Sequence, residues 1–186
     1  MKRFFDLVTS AGLLFFLMLP MLLIAALIKL TSKGPALFWT DRVGVYNVIF
    51  KMAKFRTMKL DTPHVATHLL MNPQKHLTPI GGFLRKTSLD ELPQLLNVLK
   101  GDMSFVGPRP ALFNQDDLIA LRTERGIHKL VPGITGWAQI NGRDELPIPV
   151  KVEFDRYYLK KKGVLLDLKI LFFTIFRVLS KDGVAH

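Results

Sequence analysis

Between Asp6 and Lys29 the chain runs for 22 residues without a formal charge, and this run restricts the fold more than any other. As a helix, Leu7–Ile28 would be about 33 Å long, enough to cross the hydrocarbon core of a bilayer. The apolar run continues to Leu30 and is followed by Thr31, Ser32, Lys33, Gly34 and Pro35, without the small-x-small site of a cleaved signal peptide. Two features argue against simple crossing. Pro20 lies in the interior, where it removes a backbone donor and is expected to kink the helix. Lys2 and Arg3 precede the run and Lys29 and Lys33 follow it, so two basic flanks suit a segment that enters and returns to the same face. A single spanning helix with a tolerated Pro kink is the competing reading.

Beyond Pro35 the pattern is that of a small mixed domain. Ala36–Thr40 and Val48–Lys54 are rich in aromatic and branched residues and predict a β-hairpin around Gly44 and Asn47. Prolines and glycines between 61 and 82 predict a loop-rich connection with a short helix near 64–71. Helices are expected over Leu92–Leu99, stopped by Gly101, then over Gln115–Arg125, Val150–Lys161 and Leu165–Leu179. Phe105–Pro110, Pro132–Trp137 and Asn141–Arg143 read as turns and loops. The last helix is nearly all apolar and follows Lys160-Lys161-Lys162, which suits either an interfacial helix at anionic headgroups or a buried core helix with a solvated end. The fold class expected is α+β, mostly helical. Residues 1–35 are expected to form a membrane-inserted re-entrant helix, and residues 36–186 a small cytosolic domain with interfacial amphipathic helices.

The net charge of +11 calls for an anionic partner: lipid, nucleic acid or a phosphorylated substrate. Nucleic acid is disfavoured, because no basic stripe is interleaved with aromatics. With no Cys there is no thiol nucleophile and no Cys-based metal site. Walker A, GxGxxG, GxSxG and HExxH motifs are absent. His64 and His68 have helical spacing but lack a third ligand, which argues against a metal there.

The chemistry concentrates in Arg85-Lys-Thr-Ser-Leu-Asp-Glu-Leu-Pro-Gln94 and Pro108-Arg109-Pro110. Ser88-x-x-Glu91 fits a capping box, which would make Glu91 structural. A carboxylate at the positive end of a helix is expected to stay ionised. Capping accounts for one carboxylate and not for Asp90 and Glu91 together, with Arg85 upstream and Arg109 held between two prolines. Ionised carboxylates, a divalent cation and two guanidinium groups form a phosphoryl-transfer site; a structural salt-bridge cluster is the alternative.

The block Ser88-Leu-Asp-Glu-Leu-Pro-Gln-Leu-Leu-Asn-Val-Leu-Lys-Gly-Asp-Met-Ser-Phe-Val-Gly-Pro-Arg-Pro110 closely resembles the signature of the bacterial sugar transferases, the monotopic phosphoglycosyl transferases. The likeness extends through Lys54-Phe-Arg-Thr-Met58, Pro132–Arg143, Asp155-Arg-Tyr-Tyr158 and Leu166-Asp-Leu-Lys169, in order, over nearly the whole chain. Val131 departs from the basic residue many members carry before Pro-Gly-Ile-Thr-Gly. The resemblance implies transfer of a sugar-1-phosphate from a UDP-sugar to polyprenyl (undecaprenyl) phosphate, with release of UMP. Asp90 is then the nucleophile that forms an aspartyl phosphosugar, and Glu91 assists as ligand or base. Mg2+ would bind at Asp90 and Glu91. Arg85, Pro108, Arg109, Pro110 and Arg143 would form the substrate-binding set, while Asp167 matches a family acid without a defined role. It further implies membrane lipid as a partner, a place on the cytoplasmic face of the cell inner membrane, room for a homo-oligomer, and a lean to an N-acetylated amino sugar.

Overall fold

A computed structural model describes residues 1–62, 72–142 and 146–180. The first helix, α1 (Lys2–Thr31), contains the whole uncharged run and continues without interruption past Pro20. At 30 residues it is about 45 Å long. Its last turn is closed by Ser32, whose backbone N–H and hydroxyl both donate to the Ile28 carbonyl, at 3.0 and 2.9 Å. By length and composition α1 could cross a membrane, a test that a signal sequence also passes. Phe15, Phe16, Leu19, Leu22 and Leu23, midway along, are exposed, whereas Asp6 and Ser10 near one end and Ile28 near the other are buried.

The hairpin forms as expected and is longer than expected. β1 (Leu37–Val43) and β2 (Ile49–Phe55) pair antiparallel, with Leu37 opposite Phe55 and Val43 opposite Ile49. A 3-10 turn over Val45–Asn47 joins them, with Tyr46 and Asn47 at positive φ, and the Asn47 amide donates to the Thr123 hydroxyl at 2.9 Å. The expected short helix near 64–71, with His64 and His68, lies outside the described residues. Gly81 and Gly82, read as loop, instead begin α2 (Gly81–Lys86), which carries Arg85. The glycine is required there because a Cβ on Gly81 would come within 2.1 Å of the Thr57 carbonyl oxygen.

A 3-10 turn over Leu89–Glu91 leads into α3 (Gln94–Lys100), which starts two residues later than predicted and stops at Gly101 in the left-handed region. The buried Asn97 of α3 accepts from the Ala53 N–H at 3.0 Å and donates to the Lys51 carbonyl at 2.8 Å. That amide fixes α3 against β2, and Met52, Val98 and Met103 pack around it. Next come β3 (Ser104–Val106), α4 (Asp116–Glu124) and β4 (Gly133–Thr135). β3 and β4 pair in parallel, which replaces the Gly/Pro loop expected at 132–137. Backbone runs against backbone here: a Cβ on Gly133 would sit 2.1 Å from the Gly107 nitrogen. Read from sequence, glycine signals a break; here it permits the close approach that makes the strand.

The short α5 (Trp137–Ile140) follows, then α6 (Ile148–Lys161) and α7 (Val164–Ser180). α6 turns Val152, Asp155 and Tyr158 inward. α7 is neither fully buried nor free. Ile170 is buried against Val106, Ile140 and Tyr158, with Leu166 and Leu171 beside it. Leu165, Leu168, Phe172, Ile175 and Phe176 stay exposed. The chain is therefore α+β and mostly helical, with one small hairpin and an apolar N-terminal helix.

Candidate active site

Three separate elements bring cations to the Asp90–Glu91 pair. Lys54 comes from the end of β2, Arg85 from α2, and Arg109 from the turn after β3. Glu91 Oε1 accepts from Lys54 Nζ at 2.7 Å and from Arg109 Nη2 at 3.1 Å. Lys54 Nζ also stands 3.9 Å from Asp90 Oδ2. Arg85 Nε donates to the Thr57 hydroxyl at 3.0 Å, and its charge acts on Asp90.

The capping box does not form. Ser88 begins the 3-10 turn at a φ of 56° and makes no side-chain cap, and Glu91 turns instead to Lys54 and Arg109. A side chain held by two cations is in no position to reach back to the Ser88 backbone. The two carboxylates diverge electrostatically. Burial favours the neutral form of both. At Glu91 the charges and hydrogen bonds of Lys54 and Arg109 together outweigh burial and hold the carboxyl far below its ordinary range. At Asp90 burial prevails over the pull of Lys54, the neighbouring Glu91 charge reinforces it, and the pKa rises. Asp90 sits in a short 3-10 turn rather than at the first turn of a long helix, and burial is the main cause of its upward shift. Asp90 accepts no hydrogen bond among the described residues.

Pro108 and Pro110 are buried on either side of Arg109 and shape its turn. Gly133 N–H donates to the Pro108 carbonyl at 2.9 Å, and Arg42 Nη1 to that of Pro110 at 3.3 Å. Between them the Arg109 carbonyl accepts from Arg122 Nη1 at 2.8 Å. Arg122 also directs Nε and Nη2 to Asp155 Oδ2, at 3.0 and 2.6 Å, in a buried ion pair. Burial raises the Asp155 pKa against the pull of Arg122. Asp167 lies in a different network: it binds Lys2 Nζ at 2.5 Å and the Tyr158 hydroxyl at 2.7 Å, and takes no part in the Lys54–Glu91–Arg109 contacts. Arg143 lies outside the described residues.

Lys54 is the site residue that sequence reasoning assigned no role. Flanked by buried Ala53 and Phe55 on β2, it looks in sequence like an ordinary outward-facing lysine; its only signal was the likeness of Lys54-Phe-Arg-Thr-Met58 to a family block. No group of three or more His, Cys, Asp or Glu that could hold a metal occurs among the described residues. Two adjacent carboxylates nonetheless suit a hard cation that takes its other ligands from phosphate oxygens and water, as Mg2+ does.

The bacterial sugar transferase family model matches residues 1–181. A Bacillus subtilis protein named as the uncharacterized sugar transferase EpsL is 42% identical over 186 residues, covering 99% of this chain and 90% of that protein. The Escherichia coli UDP-glucose:undecaprenyl-phosphate glucose-1-phosphate transferase is 41% identical over 95% of this chain. The Salmonella typhimurium undecaprenyl-phosphate galactose phosphotransferase is 38% identical over 98% of it. This chain spans only 40% and 41% of the length of those last two proteins. With its family model matched almost end to end, the chain belongs to the bacterial sugar transferases.

Proposed function

We propose that the protein transfers a sugar-1-phosphate from a UDP-sugar to undecaprenyl phosphate at the cytoplasmic face of the inner membrane, releasing UMP. The observation that carries this reading is the convergence of Lys54, Arg85 and Arg109 on the adjacent Asp90 and Glu91 from three elements far apart in sequence. Its relatives' names supply the substrates: UDP-glucose and undecaprenyl phosphate for the E. coli protein.

In the first half-reaction an Asp90 carboxylate oxygen attacks the sugar-bearing phosphorus, and the bond to the UMP oxygen breaks with its electron pair leaving on UMP. In the second, a phosphate oxygen of the lipid attacks the same phosphorus, and the bond to Asp90 breaks to regenerate the carboxylate. Asp90 suits the nucleophile because, of the pair, it is the carboxylate that accepts no hydrogen bond among the described residues, whereas Glu91 accepts two. Glu91, bound to both Lys54 and Arg109, fixes those two cations beside the diphosphate. Asp90 and Glu91 would hold Mg2+, which supplies charge neutralisation for the diphosphate.

Both ends of α1 pack on the same globular body, at Lys2, Arg3 and Asp6 and again at Ile28 and Ser32. That supports an N-terminal helix that enters and leaves one membrane face, with the exposed apolar side of α7 lying at the interface. A site at that depth meets a donor from the cytosol and an acceptor from the bilayer.

The test is trapping. Protein incubated with UDP-sugar labelled in the sugar and Mg2+, without lipid, should acquire covalent label and release UMP. Asp90→Asn should fold, acquire none, and turn over roughly a thousandfold more slowly or worse. Absence of label on the wild-type protein, or near-normal turnover by Asp90→Asn, would overturn the covalent route. A panel of UDP-sugars in the same assay identifies the sugar.

A further inference from the structure

The first turns of α1 carry three charged side chains that a merely lipid-anchored helix would not need. Arg3 directs Nη1 and Nη2 to the carbonyls of Val98 and Leu99, at 2.5 and 2.7 Å, in the last turn of α3. Those are carbonyls that a helix end leaves without intrahelical partners, and a guanidinium there also meets the negative end of the helix. Asp6 is 4% exposed, and its Oδ1 accepts from the Phe105 N–H of β3 at 3.2 Å. The Phe5 ring meets the Phe105 ring edge-on, 6.5 Å between centroids. Lys2 binds Asp167 and the Tyr158 hydroxyl, and that hydroxyl lies 3.3 Å from the Val106 carbonyl.

The Arg3 contacts fall on α3 and those of Phe5 and Asp6 on β3, and both elements lead into the site, whereas Lys2 reaches α6 and α7. Only Leu92 and Pro93 separate the Asp90–Glu91 turn from α3, and β3 is followed at once by Gly107-Pro108-Arg109. We infer that Arg3 and Asp6 are positioning residues: the docked N-terminal turn of α1 sets where Asp90–Glu91 and Arg109 stand relative to one another. Burying an aspartate to hold one strand amide is costly unless the amide's place matters. Sub-ångström placement of reacting groups matters greatly to rate, and a rigid α3 transmits a shift at Leu99 to Glu91.

The inference rests on the reading of Asp90, Glu91 and Arg109 as the reacting site, but its first readout does not. In full-length protein in lipid nanodiscs, Arg3→Ala and Asp6→Ala should raise hydrogen exchange at residues 89–100 and 104–109 while the hairpin keeps its protection. With UDP-sugar and lipid, kcat should fall roughly ten- to a hundredfold with little change in KM for the UDP-sugar. Asp6→Asn, which keeps an acceptor for the Phe105 N–H, should restore most of both. Lys33→Ala removes the same charge as Arg3→Ala from the other flank of α1 and should alter neither. Unchanged exchange at 89–109 in Arg3→Ala and Asp6→Ala would overturn the inference. So would protection lost throughout the chain in Asp6→Asn as well as Asp6→Ala, which would mark a purely structural role. If the wild-type protein releases no UMP, the exchange result still decides the positioning question, and only the functional reading falls.

Discussion

Glu91 shows how one residue can carry two assignments until its partners are known. Its three-residue spacing from Ser88 marks a helix cap, and its neighbour Asp90 marks chemistry. The structure gives it to Lys54 and Arg109. Lys54→Ala should therefore release Glu91 from half its restraint and expose the diphosphate to one charge fewer, lowering kcat/KM by roughly a hundredfold. Arg109→Lys keeps the charge but loses the planar fork, and steady-state kinetics should place it well below wild type. The acid side follows from the depressed Glu91 pKa. A carboxylate whose pKa falls on folding stabilises the fold above its ordinary value near 4.5, and that contribution drains away as pH drops below it. Thermal unfolding followed from about pH 6 to 3 should thus show a steeper loss of Tm for wild type than for Glu91→Gln.

At the scale of elements, what the sequence disclosed is what local periodicity and punctuation encode. Alternating aromatic and branched residues gave the hairpin, Gly101 gave the end of α3, and 3.6-residue patterns gave α4, α6 and α7 to within a few residues. The parallel β3–β4 pair was hidden because three residues on each side carry no period, and its glycines act through contacts with chain some 26 residues away. Lys54 was hidden for the same reason: its partners lie 36 and 37 positions along the chain. The Asp90–Glu91 and Arg109 candidates were legible because a dense motif places them within one local block. Gly133→Ala tests the hidden pair. A Cβ forced against the Gly107 backbone should displace the Pro108–Pro110 turn, lowering Tm and weakening Arg109's hold on Glu91, as read by crystallography or by exchange at 104–110.

For the whole molecule, the arrangement of α1 decides topology. A chain with no native cysteine lends itself to single labels at exposed Phe4 and Lys33. Phe4→Cys and Lys33→Cys should both resist a membrane-impermeant thiol reagent in intact cells and both react after permeabilisation. Reaction at one site alone in intact cells would mark a helix that crosses. Replacing Phe172 and Phe176 with Glu on the exposed side of α7 should shift protein from the membrane to the soluble fraction while circular dichroism stays unchanged.

A helix that crosses a bilayer must match it in length, and a mismatch is absorbed by tilt or by deforming the lipid. α1 is held against one body near both ends, with exposed apolar side chains midway between. If the helix enters and leaves one face, as proposed, the depth it reaches is set by the protein and not by the thickness of the host membrane. Bilayers of short and long acyl chains should then support nearly equal turnover, the mark of a helix that measures distance from the surface, whereas turnover that tracks acyl-chain length would mark one that measures the distance across.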